Sequence, residues 1–250
     1  MCTLILARDV IGSRSIVLAA NRDEDPARPC SPPAVLREAP RLAGGRDLRA
    51  GGTWLAVRGG ARPGVAALLN RREPAKDRAG GRRSRGLLTL DVAAAAEPRE
   101  AATSAARSGD YAPCTLLWAT PGECWLLVID GASPPRIDDV APGWHALAHA
   151  GLDDAHEPRT AWLVEQLRDV SVATAEAAWS HATELLREHG GGDTPAVCIH
   201  GGRMPTVSAA RLVLTANAIR YEHAEGRPCT TPFLDYSHLF ADDGFASEAP

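Results

Sequence analysis

Cys2 carries the densest chemical potential in the chain, because removal of Met1 leaves a thiol and a free α-amine on one residue. A thiol titrates near ~8.5 and an α-amino group near ~7.7 to 8.0, so at neutral pH the pair combines an activatable nucleophile with a weak base. Two elements are placed to support it. Cys2-Thr3-Leu4-Ile5-Leu6-Ala7 and Ile16-Val17-Leu18-Ala19-Ala20 read as strands, and the polar, glycine-containing stretch between them reads as a hairpin turn. The returning strand ends in Asn21-Arg22-Asp23-Glu24, so the hairpin carries an amide and three charged side chains back beside the thiol.

Further along, strands are expected at Trp54 to Val57, Val65 to Leu69, Cys114 to Ala119, Cys124 to Ile129, Trp144 to His149, Ala196 to His200, Ala209 to Ala216 and Ile219 to His223. Helices are expected at Leu87 to Ala96, Pro98 to Arg107, Arg159 to Val170 and Thr174 to His189. Strands and helices come in runs, which fits a layered α+β architecture of hairpin-built sheets better than alternating βαβ units. A single domain over residues 1–240 followed by a mobile acidic tail, 241–250, is the expected organisation.

Ordered blocks across residues 1–90 resemble one family. Met1-Cys2-Thr3-Leu4, Ala20-Asn21-Arg22-Asp23-Glu24, Gly44-Gly45-Arg46-Asp47, Gly51-Gly52-Thr53-Trp54-Leu55-Ala56, Leu68-Leu69-Asn70-Arg71-Arg72-Glu73 and Ser84-Arg85-Gly86-Leu87-Leu88 are similar to the NRDE family, which includes the transport and Golgi organisation protein 2 homologues. The resemblance implies an N-terminal nucleophile (Ntn) hydrolase-like fold: a four-layer αββα sandwich of two antiparallel sheets between helical layers, similar to the penicillin V acylase and bile salt hydrolase branch. It further implies Cys2 as nucleophile with its own amine as base, Arg22 and Asp23 positioning that amine and thiol, and Asn21 positioning substrate or supplying a hydrogen bond. Arg46, Asn70, Arg71 and Arg85 are the candidate ligand-binding residues.

The second half departs from the family pattern. Where members carry Gly-Leu-Ser-Asn this chain has Ala146-Leu147-Ala148-His149, and Pro205-Thr206-Val207-Ser208-Ala209 replaces a Gly-Thr-Arg-Ser-Ser block. His149 can still donate to an oxyanion, and loss of one such donor typically lowers a rate ~10²- to 10³-fold. Two functions follow: an N-terminal-cysteine amidohydrolase or acyltransferase acting on a small amphipathic amide or ester, or a non-catalytic carrier for haem, acyl-CoA or a related anionic amphiphile.

Composition narrows the field. Of the 250 residues 45% are hydrophobic and 23% charged, and no apolar run approaches the roughly 18 residues of a membrane span. With no basic region and hydrophobic segment at the N-terminus, a cytoplasmic location without membrane insertion is expected. The six cysteines, Cys2, Cys30, Cys114, Cys124, Cys198 and Cys229, lack zinc-finger spacing and are expected as free thiols. His145 and His149 share an expected strand face, as do Cys198 and His200, and together they could bind a metal or an iron porphyrin, but scattered His and Cys usually do neither, so neither metal nor cofactor is expected.

The net charge of −4 conceals opposed halves: residues 1–90 hold 17 basic and 8 acidic side chains, residues 91–250 hold 10 and 23. Much of the basic excess lies between Arg71 and Arg85, a Pro- and Gly-containing loop able to meet carboxylates or phosphates. Without interleaved aromatics, and in an acidic chain, nucleic acid is not an expected partner. A small amphipathic or anionic ligand is.

Overall fold

The computed structural model describes residues 2–71 and 82–243; most of the arginine-rich run and the end of the expected mobile tail, residues 72–81 and 244–250, lie outside the described residues. In chain order the strands are β1 (Thr3–Arg8), β2 (Ile16–Asp23), β3 (Ala34–Glu38), β4 (Arg41–Gly44), β5 (Leu55–Arg58), β6 (Gly64–Asn70), β7 (Cys114–Ala119), β8 (Cys124–Ile129), β9 (Arg136–Asp139), β10 (Gly143–Leu147), β11 (Thr206–Leu214), β12 (Ile219–Ala224) and β13 (Leu234–Asp235). The helices are α1 (Arg85–Ala94), α2 (Pro98–Arg107), α3 (Pro158–Leu167) and α4 (Ala175–Leu186), with a 3-10 turn at Ser237–Asp243. The chain forms two compact units: one from Met1–Ala27 with Ala141–Pro250, the other from Arg28–Val140.

The first unit is a six-stranded antiparallel sheet in the order β10-β1-β2-β11-β12-β13, carrying α3 and α4. Because side chains alternate across a strand, Ile5 and Ala7 of β1 share a face with Val17 and Ala19 of β2. That face meets the helices: Ile5, Ala19 and Ala146 pack with Leu163, Leu167, Ala182, Leu185 and Leu186, while Ala7, Val17 and Val213 pack with Ala178 and Trp179. In α4 the buried positions Ala178, Trp179, Ala182, Leu185 and Leu186 form a stripe of helical period. Both helices have side-chain caps, Glu157 accepting from the Thr160 N–H and Thr174 from the Ala177 N–H.

The second unit is a seven-stranded antiparallel sheet whose spatial order, β3-β4-β5-β6-β7-β8-β9, follows the chain. Leu88, Val92, Ala93, Ala102 and Ala106 of α1 and α2 pack on Leu42, Ala66, Leu68, Leu116, Trp118 and Leu127. Every residue of β7 and β8 is buried, which is why both read as apolar runs, with Thr115 the one polar side chain in β7. The edge strand β9, Arg-Ile-Asp-Asp, is mostly exposed and charged, a composition that disfavours pairing with another edge.

The expected strand at Ala196 to His200 does not form. The Val197 and Cys198 N–H groups both donate to the Glu188 carbonyl, at 2.9 and 2.7 Å, and the Ile199 N–H donates to Thr206 Oγ1 at 2.9 Å, so local partners replace a ladder. Strands β3, β4, β9 and β13 were not expected; they are short, and β9 is polar.

Gly52 and Gly86 show why two of the glycine-bearing blocks belong together. The Thr53 N–H donates to the Gly86 carbonyl at 3.1 Å, and a Cβ on Gly52 would lie 2.3 Å from the Gly86 carbonyl carbon. Gly52→Ala therefore forces this backbone contact apart, and denaturant titration is expected to show a loss of about 2 kcal/mol or more.

Candidate functional site

Cys2 stands immediately before β1, 8% exposed. In the antiparallel register Thr3 faces Asn21, so strand alternation puts Thr3, Asn21 and Asp23 on the helix side and Cys2 with Arg22 on the other. The Asp23 N–H donates to the Cys2 sulfur. Burial, and then the nearby Asp23 carboxylate, push the thiol above its ordinary range. Cys2 therefore rests protonated at neutral pH, and attack on a carbonyl requires a base that removes the proton during the step.

Asp23 is the most heavily invested group at the site. Its side chain is fully buried, accepts from Thr206 Oγ1 at 2.7 Å and pairs with Arg159 Nη1 at 3.2 Å. Burial nevertheless raises its pKa against the pull of those partners. Arg159, in the first turn of α3, also donates to Thr3 Oγ1 at 2.6 Å, joining β1, β2 and the helix at one guanidinium. Thr206 opposes Asp23 across the β2–β11 ladder, next to an irregularity between Thr206 and Ser208 that re-aims its hydroxyl.

The other residues singled out from sequence divide by location. Arg22 lies 3.6 Å from Glu24 and, like Cys2, is nearly inaccessible. Asn21 turns its amide into the helix side, donating to the Leu186 and Val197 carbonyls at 2.9 and 3.1 Å, so that amide is committed to backbone. His149 follows the end of β10, with Nδ1 3.9 Å from Glu157. Its suggested partner His145 is engaged elsewhere, with Asp153 at 2.6 Å and the Ala141 carbonyl at 2.9 Å.

Arg46, Asn70, Arg71 and Arg85 belong to the second unit. Arg46 donates to the Gly51 carbonyl at 3.0 Å, Arg71 to Thr115 Oγ1 at 3.1 Å, and Arg85 to the Pro113 carbonyl at 2.9 Å. Asn70 ends β6 opposite Cys114. Each of these three arginines holds a loop or strand end in place.

Arg159, Thr206 and His223 were not among the site residues expected from sequence, Thr206 having stood there only within the Pro205–Ala209 block that departs from the family pattern. Only the folded register brings the first two to Asp23, from 136 and 183 positions away. His223, opposite Ala210, shares the sheet face of Ala20 and Arg22. Burial, aided by the Arg22 charge, lowers its pKa to about 4, and its Nδ1 has no hydrogen-bond partner among the described residues.

Two outcomes follow from these buried charges. Arg159→Met removes the guanidinium paired with the buried Asp23 carboxylate and is expected to destabilise the fold by about 3 kcal/mol in denaturant titration. For His223 the folded pKa lies below the unfolded value, so its contribution is full above pH ~6.5 and is lost as pH falls towards 4. Wild-type stability is expected to drop by about 2 kcal/mol more than that of His223→Leu over this interval.

The model of the Transport and Golgi organisation 2 family matches residues 1–189. No curated protein matches the sequence. Among solved structures, the Caenorhabditis elegans N-acylethanolamine-hydrolyzing acid amidase ortholog is similar with a TM-score of 0.57 and 14% identity, over 86% of this chain and 93% of that one. Protein SPO2555 from Silicibacter pomeroyi gives a TM-score of 0.43 at 14% identity, over 91% and 82% of the two chains. The likeness to the amidase, an Ntn hydrolase, bears out the expected α+β Ntn-hydrolase-like fold. With the family model spanning Cys2, the Asn21–Glu24 block and the glycine-bearing blocks, the chain belongs to the Transport and Golgi organisation 2 family.

Proposed function

We propose that this protein is an N-terminal-cysteine hydrolase, with acyl transfer as a variant of the same chemistry, acting on the amide or ester bond of a small amphipathic molecule. The observation that carries the reading is Cys2 held at the start of β1 beside Arg22 and Asp23, with the Asp23 N–H directed at its sulfur.

Once Met1 is removed, the Cys2 α-amine takes the thiol proton as sulfur bonds to the substrate carbonyl carbon, and the carbonyl electron pair moves to oxygen. Collapse of the tetrahedral oxyanion leaves a thioester on Cys2. The departing amine or alcohol takes the proton from the ammonium, and water then releases the acid. Asp23 suits the ammonium, Arg22 favours the thiolate as it forms, and His149 is the candidate oxyanion donor. The amidase neighbour hydrolyses N-acylethanolamines, which makes a fatty acyl amide the first substrate to offer.

One observation favours the carrier reading. The Asn21 amide is spent on the Leu186 and Val197 carbonyls and does not serve an oxyanion. A saturable Soret change on haem titration, or acyl-CoA binding by calorimetry, in a protein lacking Cys2-dependent turnover would favour it.

The deciding experiment joins intact mass with labelling by a thiol-reactive acyl probe. Met1 is expected to be absent, and Cys2→Ala is expected to abolish labelling and to lower amide turnover by ~10³-fold or more. Retention of Met1, or labelling indifferent to Cys2, overturns the hydrolase.

A further inference from the structure

In the first unit four side chains with metal-ligating atoms converge from three places in the sequence. His189 follows α4, Cys198 and His200 lie in the segment leading to β11, and Cys229 lies in the turn after β12. Their ligand atoms all lie within 4.8 Å of one another. The two sulfurs are 3.6 Å apart, His200 Nε2 is 3.2 Å from Cys229 Sγ, and the His189 and His200 rings meet edge-on at 4.4 Å between centroids.

The sulfur–sulfur and sulfur–nitrogen separations are close to those of a tetrahedral cage. With Zn–S near ~2.3 Å and Zn–N near ~2.0 to 2.1 Å, the sulfurs around a tetrahedral zinc stand about 3.8 Å apart and a sulfur and nitrogen about 3.5 Å apart. Two thiolates and two imidazoles form a donor set selective for zinc over magnesium or calcium, which prefer oxygen. The exposed histidines give an ion access from solvent, and Cys198 closes the site on its buried side.

The backbone is shaped to bring the four together. Gly190, Gly191 and Gly192 all have positive φ, at +78°, +155° and +57°, and turn the chain back after His189. A Cβ on Gly190 would stand 2.8 Å from the Ala196 nitrogen, so the return is close as well as left-handed. Arg187 Nε donates to the Pro228 carbonyl at 2.9 Å, fixing the end of α4 beside the Cys229 turn.

We propose that His189, Cys198, His200 and Cys229 form a closed tetrahedral site for one Zn²⁺ ion. Four protein ligands leave no open position, so the ion is structural and takes no part in hydrolysis. Binding replaces the two thiol protons, which leave to solvent, and no electrons are exchanged. Cys198 sits between two residues that serve the candidate active site: the Val197 carbonyl accepts from Asn21, and Ile199 bonds Thr206, the residue that holds Asp23. The metal thus anchors, from behind, the segment that positions β2 and β11.

The test is metal analysis of the full chain expressed with added zinc and purified under reducing conditions without chelator. One zinc per chain is expected, lost in both Cys229→Ser and His200→Ala and retained in Cys30→Ser. Cobalt substitution is expected to give thiolate-to-metal charge transfer and tetrahedral ligand-field bands, and chelator to lower Tm by ~5 °C or more. The cobalt spectrum keeps the proposal falsifiable if either variant fails to fold. Wild-type protein that binds no zinc after reduction, folded variants that retain full zinc, a cobalt spectrum without thiolate ligation, or a Cys198–Cys229 disulfide in zinc-free protein would each overturn it.

Discussion

The buried carboxylate of Asp23 is the constraint around which the first unit is organised. An ion of this kind loses several kcal/mol of hydration when enclosed, and it stays ionised only where cations and donors surround it closely. Here Arg159 and Thr206 supply that environment, and each comes from a separate element. Satisfying one side chain therefore fixes where α3 starts, how β11 registers on β2, and where the segment bonded to Thr206 must run. The same carboxylate raises the cost of a thiolate at Cys2, so stability and chemistry are set by one charge.

Sheet alternation separates two tasks within a few residues. Thr3, Asn21 and Asp23 look towards the helices and hold the fold, whereas Cys2 and Arg22 occupy the reverse face. In Asn21-Arg22-Asp23-Glu24 the amide is thus an internal brace, its nitrogen bridging the Leu186 and Val197 carbonyls. The histidines divide in a similar way. Burial opposes the charged form of His145, but Asp153 and the Ala141 carbonyl together outweigh it and favour that form, while His223, buried near Arg22, is held neutral.

Much of this order was legible in the sequence, for physical reasons. The apolar runs of β7 and β8 and the helix from Pro98 to Arg107 are visible at their observed bounds because period and length agree there. The first hairpin was visible because its turn is polar and its strands are apolar. Contacts that join distant segments were not. Arg159 looks like any charge in a first helical turn, and the spacing of His189, Cys198, His200 and Cys229 matches no familiar metal signature. The segment at Ala196 to His200 has the composition of a strand, but its backbone groups are taken by Glu188, Asn21 and Thr206. Glycine blocks were conspicuous as residues, yet their meaning, two backbones in contact at Gly52 and Gly86, emerges only in the fold.

The two units also differ in how their chain is laid out. Residues Arg28–Val140 form a sheet whose neighbours in space are neighbours in sequence, so its contacts are local. The other unit joins the first 27 residues to everything after Ala141, and β1 and β2 cannot gain β10 and β11 until those strands have been synthesised. Vectorial synthesis therefore lets the middle of the protein fold first, while the N-terminal hairpin waits with one edge of each strand unpaired. The sheet that buries Cys2 is therefore completed only when β10 and β11 dock on the hairpin, late in the folding of this unit.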